Sequence, residues 1–252
     1  MNILVFGASN SAGDYLADPD AAWPCLLGAA LRSAVSHRKL YVTSDTFRDY
    51  LDRECASHRA DVIILFPATV FALPNPAQTV GDRFGDRARK TYEWLADAIS
   101  RVPIVAHVGR FVVRRVLPGP TLAVAEACQR YDEVLARLAR TDARQVIVMS
   151  GGVFSESPRA GIPSLRADVR AFNAHLSERA ARHGFSWLDT EQMTTDGGTR
   201  VACFHEDGIH LGTEEHARVA AAAAAAQAIS GCRAGQPERD PAAEPRMDVV
   251  GR

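Results

Sequence analysis

Ile3-Leu4-Val5-Phe6-Gly7-Ala8-Ser9-Asn10-Ser11-Ala12-Gly13 is an unbroken apolar run that gives way to a glycine and then to small and polar residues. A run without polar alternation suits a strand covered on both faces, and the small residues after it suit a turn into a helix. Similar runs at 40–42, 62–66, 146–149 and, more weakly, 185–188 raise the number of expected strands to five. Between them lie segments with helical spacing at 47–55, 88–99, 122–138, 165–182 and 214–229, while 102–117, in which 104–106 could form a short strand, stays unassigned. Strand and helix therefore alternate, and the expected fold is α/β: a three-layer α/β/α sandwich around a five-stranded parallel sheet.

Composition fits one such domain. Of 252 residues, 47% are hydrophobic and 23% charged, which supplies a core and gives no case for general disorder. With 29 Lys+Arg against 30 Asp+Glu there is no long-range field to favour nucleic acid or an anionic membrane surface, so neither partner is expected. Five cysteines are scattered without a CxxC pair, unlike a disulfide framework or a zinc site. The first residues lack a basic segment, and their apolar run is too short for a signal sequence or a membrane span, so a cytoplasmic protein is expected. The domain should occupy 1–230. From 231 to 252 the chain turns to Gly, Pro, Arg, Glu and Ala with few large apolar residues, and is expected to be a disordered tail. The alanine run just before it, 220–226, suits a final helix packed closely on the sheet.

Chemistry concentrates at the two ends. Ser9 follows the first strand, at the edge where open parallel sheets place their ligands, and at the expected N-terminus of a helix whose N–H groups would favour an oxyanion. Its bland alternative is an N-cap serine. The deciding partner is Asp207-Gly208-Ile209-His210-Leu211. An aspartate three residues before a histidine in a turn can hold the imidazole in one tautomer and stabilise the imidazolium that forms when it takes the serine proton. Thr213 after it suits an N-cap, with Glu214 and Glu215 in the first turn of the final helix.

Together, G-A-S-N-S-A-G from Gly7 and D-G-I-H-L from Asp207 resemble the SGNH/GDSL hydrolase superfamily, whose first block carries the serine and whose last carries D-x-x-H. The resemblance spans the chain. It implies a flavodoxin-like fold of the SGNH hydrolase type and a serine esterase or deacylase. Ser9 would be the nucleophile, His210 the general base and acid, and Asp207 the residue that orients His210. The substrate would be an ester of a small molecule or a sugar, cleaved through an acyl-enzyme without cofactor or metal. Three family positions depart. Ala8 stands where the first block has aspartate, 41–47 holds no second-block glycine, and Pro67-Ala68-Thr69-Val70 replaces the third block's G-x-N-D. Asn10 and Asn75 are the candidate replacements as oxyanion or substrate donors; each is equally well explained as a turn residue.

An acyltransferase or a non-hydrolytic acyl-binding protein on the same fold remains an alternative. An NAD(P)-binding Rossmann protein is less well supported. Asn10 stands where the reductase turn needs glycine, and the two lysines, Lys39 and Lys90, are preceded four residues earlier by Val35 and Asp86, so no Tyr-x-x-x-Lys pair exists. Arg83, Arg87, Arg89 and Lys90 read as a solvated face neutralised by Asp82 and Asp86. Cys203, His205, Asp207 and His210 match no common zinc spacing. His216 is expected to face solvent from the last helix.

Overall fold

The computed structural model describes residues 1–13, 16–72, 84–85, 87–88, 90–92, 94, 122–151, 165–190, 195–196, 199–200 and 211–234. Its centre is a five-stranded sheet in the order β2-β1-β3-β4-β5: β1 (Asn2–Gly7), β2 (Ala34–Lys39), β3 (Val62–Leu65), β4 (Gln145–Met149) and β5 (Ser186–Leu188). All four pairings are parallel, with Leu4 opposite Ser36 and Ile63, and Ile63 opposite Val146. This is the expected sandwich. Because β1 lies between β2 and β3, the order is the flavodoxin-like one, not the dinucleotide-binding order in which the first strand neighbours the fourth.

The apolar runs are strands because helices cover both faces. Leu4, Phe6, Ile63, Leu65, Val146 and Val148 point into one core with α3 (Phe47–His58), α4 (Val124–Leu138) and α5 (Leu165–Arg182). Their alternates Ile3, Val5, Val62, Ile64, Ile147 and Met149 point into the other, against α2 (Trp23–Leu31) and α6 (Thr213–Ala234). In α6, Ala220 and Ala223 are buried against that sheet face, where short side chains permit the close approach anticipated from the alanine run. No helix of the described residues is long and apolar enough to cross a membrane. A short hairpin of β6 (Thr195–Asp196) and β7 (Thr199–Arg200) lies apart from the main sheet.

The second strand differs from expectation. It runs over Ala34–Lys39, not 40–42, and its residues are exposed or half-buried throughout. It is an edge strand, held by pairing with β1 on one side only, so its polar His37, Arg38 and Lys39 carry no apolar signature. Leu40 and Val42 are buried core residues that follow it, and the Leu40 N–H still reaches the Gly7 carbonyl at 2.7 Å. The final helix continues to Ala234, four residues past the expected boundary at 230; 235–252, and most of the helix expected at 88–99, lie outside the described residues.

Two helices end on an arginine in the left-handed region: Arg32 (φ 47°) closes α2 and Arg59 (φ 42°) closes α3. That conformation costs an L-residue roughly 1–2 kcal/mol. Glycine avoids it but loses about 0.5–1 kcal/mol through its freer unfolded chain. Arg59→Gly should therefore raise unfolding stability by up to about 1 kcal/mol in urea melts; a fall would show that the Arg59 side chain stabilises the fold in some other way.

Candidate active site

Ser9 opens α1 (Ser9–Ala12), a single turn that leaves the carboxyl end of β1. In this strand order the crevice forms outside the carboxyl ends of β1 and β3, so Ser9 stands at the switch point. The N-cap position falls on Ala8, whose side chain makes no cap bond, so the turn is not opened by a capping serine. Ser11 and Ala12 donate their N–H groups to the Ala8 carbonyl at 2.9 and 3.0 Å. With only four residues, α1 has little macrodipole; any help to an oxyanion must come from individual donors. Gly13 (φ 69°) ends the turn in a conformation that favours glycine. Ser11 is buried behind the nucleophile candidate, its Oγ accepting the Ala8 N–H at 3.3 Å.

The adjacent Asn10 reaches across the sequence. Its Oδ1 accepts the N–H of Leu211 at 3.0 Å, joining positions 201 apart. Because that N–H can only donate, the amide atom facing it must be the oxygen. Leu211 is itself buried in the core shared by β1 and α6, so the C-terminal segment is docked beside the first turn. Asp207, His210 and Asn75 lie outside the described residues.

His216 corrects an expectation. It is 2% exposed, not solvent-facing, and its Nδ1 accepts the backbone N–H of Trp23 at 3.1 Å. Trp23 is the first residue of α2, so the imidazole satisfies a donor that has no partner within its own helix. The signal was present in the spacing: Glu215, His216, Val219, Ala220 and Ala223 recur on one face of α6, and all are buried. Burial lowers the His216 pKa to about 4 from its ordinary 6.5. The neutral form is thus the folded form, with its proton on Nε2. Since the unfolded chain binds the proton more readily, this contribution is complete above pH 6.5 and is lost as pH falls towards 4. The full difference is on the order of 3 kcal/mol. Urea melts of wild type and His216→Gln at pH 7 and pH 4.5 should show a smaller acid loss in the variant. Equal losses would remove His216 as the cause.

The neighbouring strand ends carry a polar group that the sequence did not reveal. After β4, Ser150 Oγ accepts the Thr190 N–H and contacts Thr190 Oγ1, both at 2.7 Å, and lies 3.3 Å from Asp189 Oδ1. Gly151 is clasped by Asn173 of α5, which accepts its N–H at 2.8 Å and donates to its carbonyl at 3.0 Å. After β3, the Ala68 N–H donates to the hydroxyl of fully buried Tyr131 at 2.9 Å, and burial pushes that phenol's pKa up. Thr69 packs against Gly151 so closely that a Cβ there would lie 2.5 Å from its Cγ2. These bonds fix the exits of β3, β4 and β5 at the same edge of the sheet as Ser9.

No family model matches the sequence, and no curated protein does either. Solved structures do match over nearly their full length. One is a lipase/acylhydrolase from Enterococcus faecalis, at 16% identity over 92% of this chain and 96% of that one, with a TM-score of 0.59. Another is a carbohydrate acetylesterase family member from Sinorhizobium meliloti, at 13% over 91% and 98%, with a TM-score of 0.59. A third, described as lipolytic and of the G-D-S-L family, comes from Desulfitobacterium hafniense, at 14% over 89% and 98%, with a TM-score of 0.56. The fold is that of the SGNH/GDSL hydrolases.

The positions at which the sequence departs from the resemblance noted above have structural settings. Ala8, in place of the first-block aspartate, is 4% exposed, and a carboxylate there would have to be desolvated. Thr69, in the third-block stretch, is buried and opens a one-turn 3-10 helix, Thr69–Ala72. The stretch 41–47, which lacks the second-block glycine, leads into α3 and delivers Val42 and Phe47 to the core, both nearly fully buried.

Proposed function

We propose that the protein is an SGNH-type serine esterase that cleaves an ester of a small molecule or carbohydrate through an acyl-enzyme on Ser9. The observation that carries this reading is the bond from Leu211 N–H to Asn10 Oδ1. Leu211 follows His210 directly and Asn10 follows Ser9 directly, and neighbouring Cα atoms lie about 3.8 Å apart. One hydrogen bond therefore ties together the two segments that supply the nucleophile and the base. The structural relatives named as a lipase/acylhydrolase and a carbohydrate acetylesterase support an ester as the substrate.

In this mechanism Ser9 Oγ attacks the ester carbonyl as His210 takes its proton, and Asp207 holds the imidazole and stabilises its charged form. Collapse of the tetrahedral intermediate expels the alcohol, which receives the proton from His210. Water, activated by the same histidine, then attacks the acyl-enzyme and releases the acid, restoring Ser9. Side-chain donors for the oxyanion would be Asn75 and the NH2 group of Asn10, whose oxygen is engaged by Leu211. The reaction balances without cofactor or metal.

The test is incubation with a fluorophosphonate probe and with p-nitrophenyl acetate, read by intact mass and absorbance. A single adduct and turnover in wild type, both absent from folded Ser9→Ala, is the expected result. A folded wild type that neither labels nor turns over would overturn the esterase assignment and favour acyl binding without hydrolysis.

A further inference from the structure

We infer that Asn10 is a positioning residue that sets the alignment of the base on the nucleophile, acting through the backbone at Leu211. The inference rests on the Ser9 and His210 reading above. The peptide unit between residues 210 and 211 is planar, so whatever holds the Leu211 N–H also holds the plane of the carbonyl of residue 210. Asn10 Oδ1 is the group that holds it, at 3.0 Å.

The surroundings show why a side chain is needed there. On its C-terminal side Leu211 is well anchored. Its side chain is buried, α6 begins two residues later, and the His216 N–H bonds the Gly212 carbonyl at 3.1 Å. Those contacts fix where Leu211 sits, and Asn10 holds the N–H on its N-terminal side. Asn10 in turn is carried on the same helical turn as Ser9, and Ser11 seats that turn on β1 through the Ala8 N–H. Nucleophile and base segment are thereby referred to a single side chain. Misplacement of a catalytic group by about 1 Å can cost on the order of 10²-fold in rate, so a bond of this kind matters well beyond its own strength.

Asn10 could instead act only through its NH2 group, as an oxyanion donor. The two roles use opposite ends of the amide, and Asn10→Asp separates them, since aspartate keeps the acceptor oxygen and loses the donor. For the positioning role, Asn10→Ala should lower kcat on p-nitrophenyl acetate by about 10- to 100-fold with KM changed little. Asn10→Asp should recover most of that loss. Its carboxylate near the base should also move the acid limb of the kcat/KM profile to higher pH, because a nearby negative charge favours the imidazolium. Hydrogen exchange at the Leu211 amide should speed up in Asn10→Ala and stay slow in Asn10→Asp. This readout does not depend on activity, and circular dichroism confirms that both variants are folded.

Turnover in wild type, with Asn10→Ala unchanged or with Asn10→Asp as impaired as Asn10→Ala, would overturn the positioning role and leave Ser9 as nucleophile. A wild type without turnover or labelling would overturn both. If Asn10→Ala fails to fold, Asn10→Asp decides alone: near-normal kcat with a shifted acid limb supports the proposal, and loss of kcat with slow Leu211 exchange overturns it.

Discussion

Ser9→Ala and His210→Ala should each lower kcat/KM on p-nitrophenyl acetate by about 10³-fold or more, and the double variant should be no worse than either single one. In the proposed mechanism, nucleophile and base perform one event. Without His210 the Ser9 hydroxyl keeps its proton and attacks poorly, and without Ser9 the imidazole has nothing to activate. Each single change therefore removes the same transition-state stabilisation, and a second has little left to remove. The structural basis is the docking of the segment after His210 onto the turn after Ser9. Multiplicative losses in the double variant would show that the two residues act independently and would sink the triad reading. The comparison needs purified, folded variants, checked by circular dichroism before rates are measured.

The second large effect is expected at Gly7. A Cβ built there would lie 1.7 Å from Ser11 Oγ and 2.6 Å from Ser11 Cβ. Rotating the serine hydroxyl can relieve the first contact and cannot relieve the second, because a Cβ moves only with its backbone. Gly7 is also fixed in its strand, with its carbonyl accepting the Leu40 N–H at 2.7 Å. Gly7→Ala must therefore push the α1 turn off the end of β1 and carry Ser9 and Asn10 with it. Overpacking of this kind costs roughly 1–3 kcal/mol, and the backbone conflict places it at the upper end. Activity should fall more than 100-fold, on the order expected for a displaced nucleophile. The compensating change is specific. Ser11→Gly removes both clashing atoms and should restore most of the stability and rate to Gly7→Ala, whereas Ser11→Ala keeps its Cβ and should restore little. A Gly7→Ala protein as stable and active as wild type would refute the packing argument.

Beyond the sheet edge, the cross-links between helices show how the scaffold is held. Arg48 pairs with Glu133, and Arg137 with Asp52, between α3 and α4; Asp132 of α4 accepts from both His175 and Arg179 of α5. None of these is legible from one sequence, because each partner is one charged residue among many on a solvated face. Their partial exposure makes each worth little singly, so they refine the helix packing and do not create it.

The sequence by itself determined the parts whose physics is local or repeated. β1, β3 and β4 were legible because strands buried on both faces must be apolar at every position. The bounds of α5 and the start of α3 followed from helical spacing. What the tertiary structure decided were features set by a partner distant in sequence. β2 is a strand because β1 lies beside it, whatever its polarity. His216 is buried because α2 presents an N–H with no acceptor of its own, and Asn10 is tied to Leu211 across 201 positions because the first strand and the last helix share one core. A hydrogen bond needs only one donor and one acceptor, types too common along a chain to reveal their pairing until the fold has brought them within 3 Å.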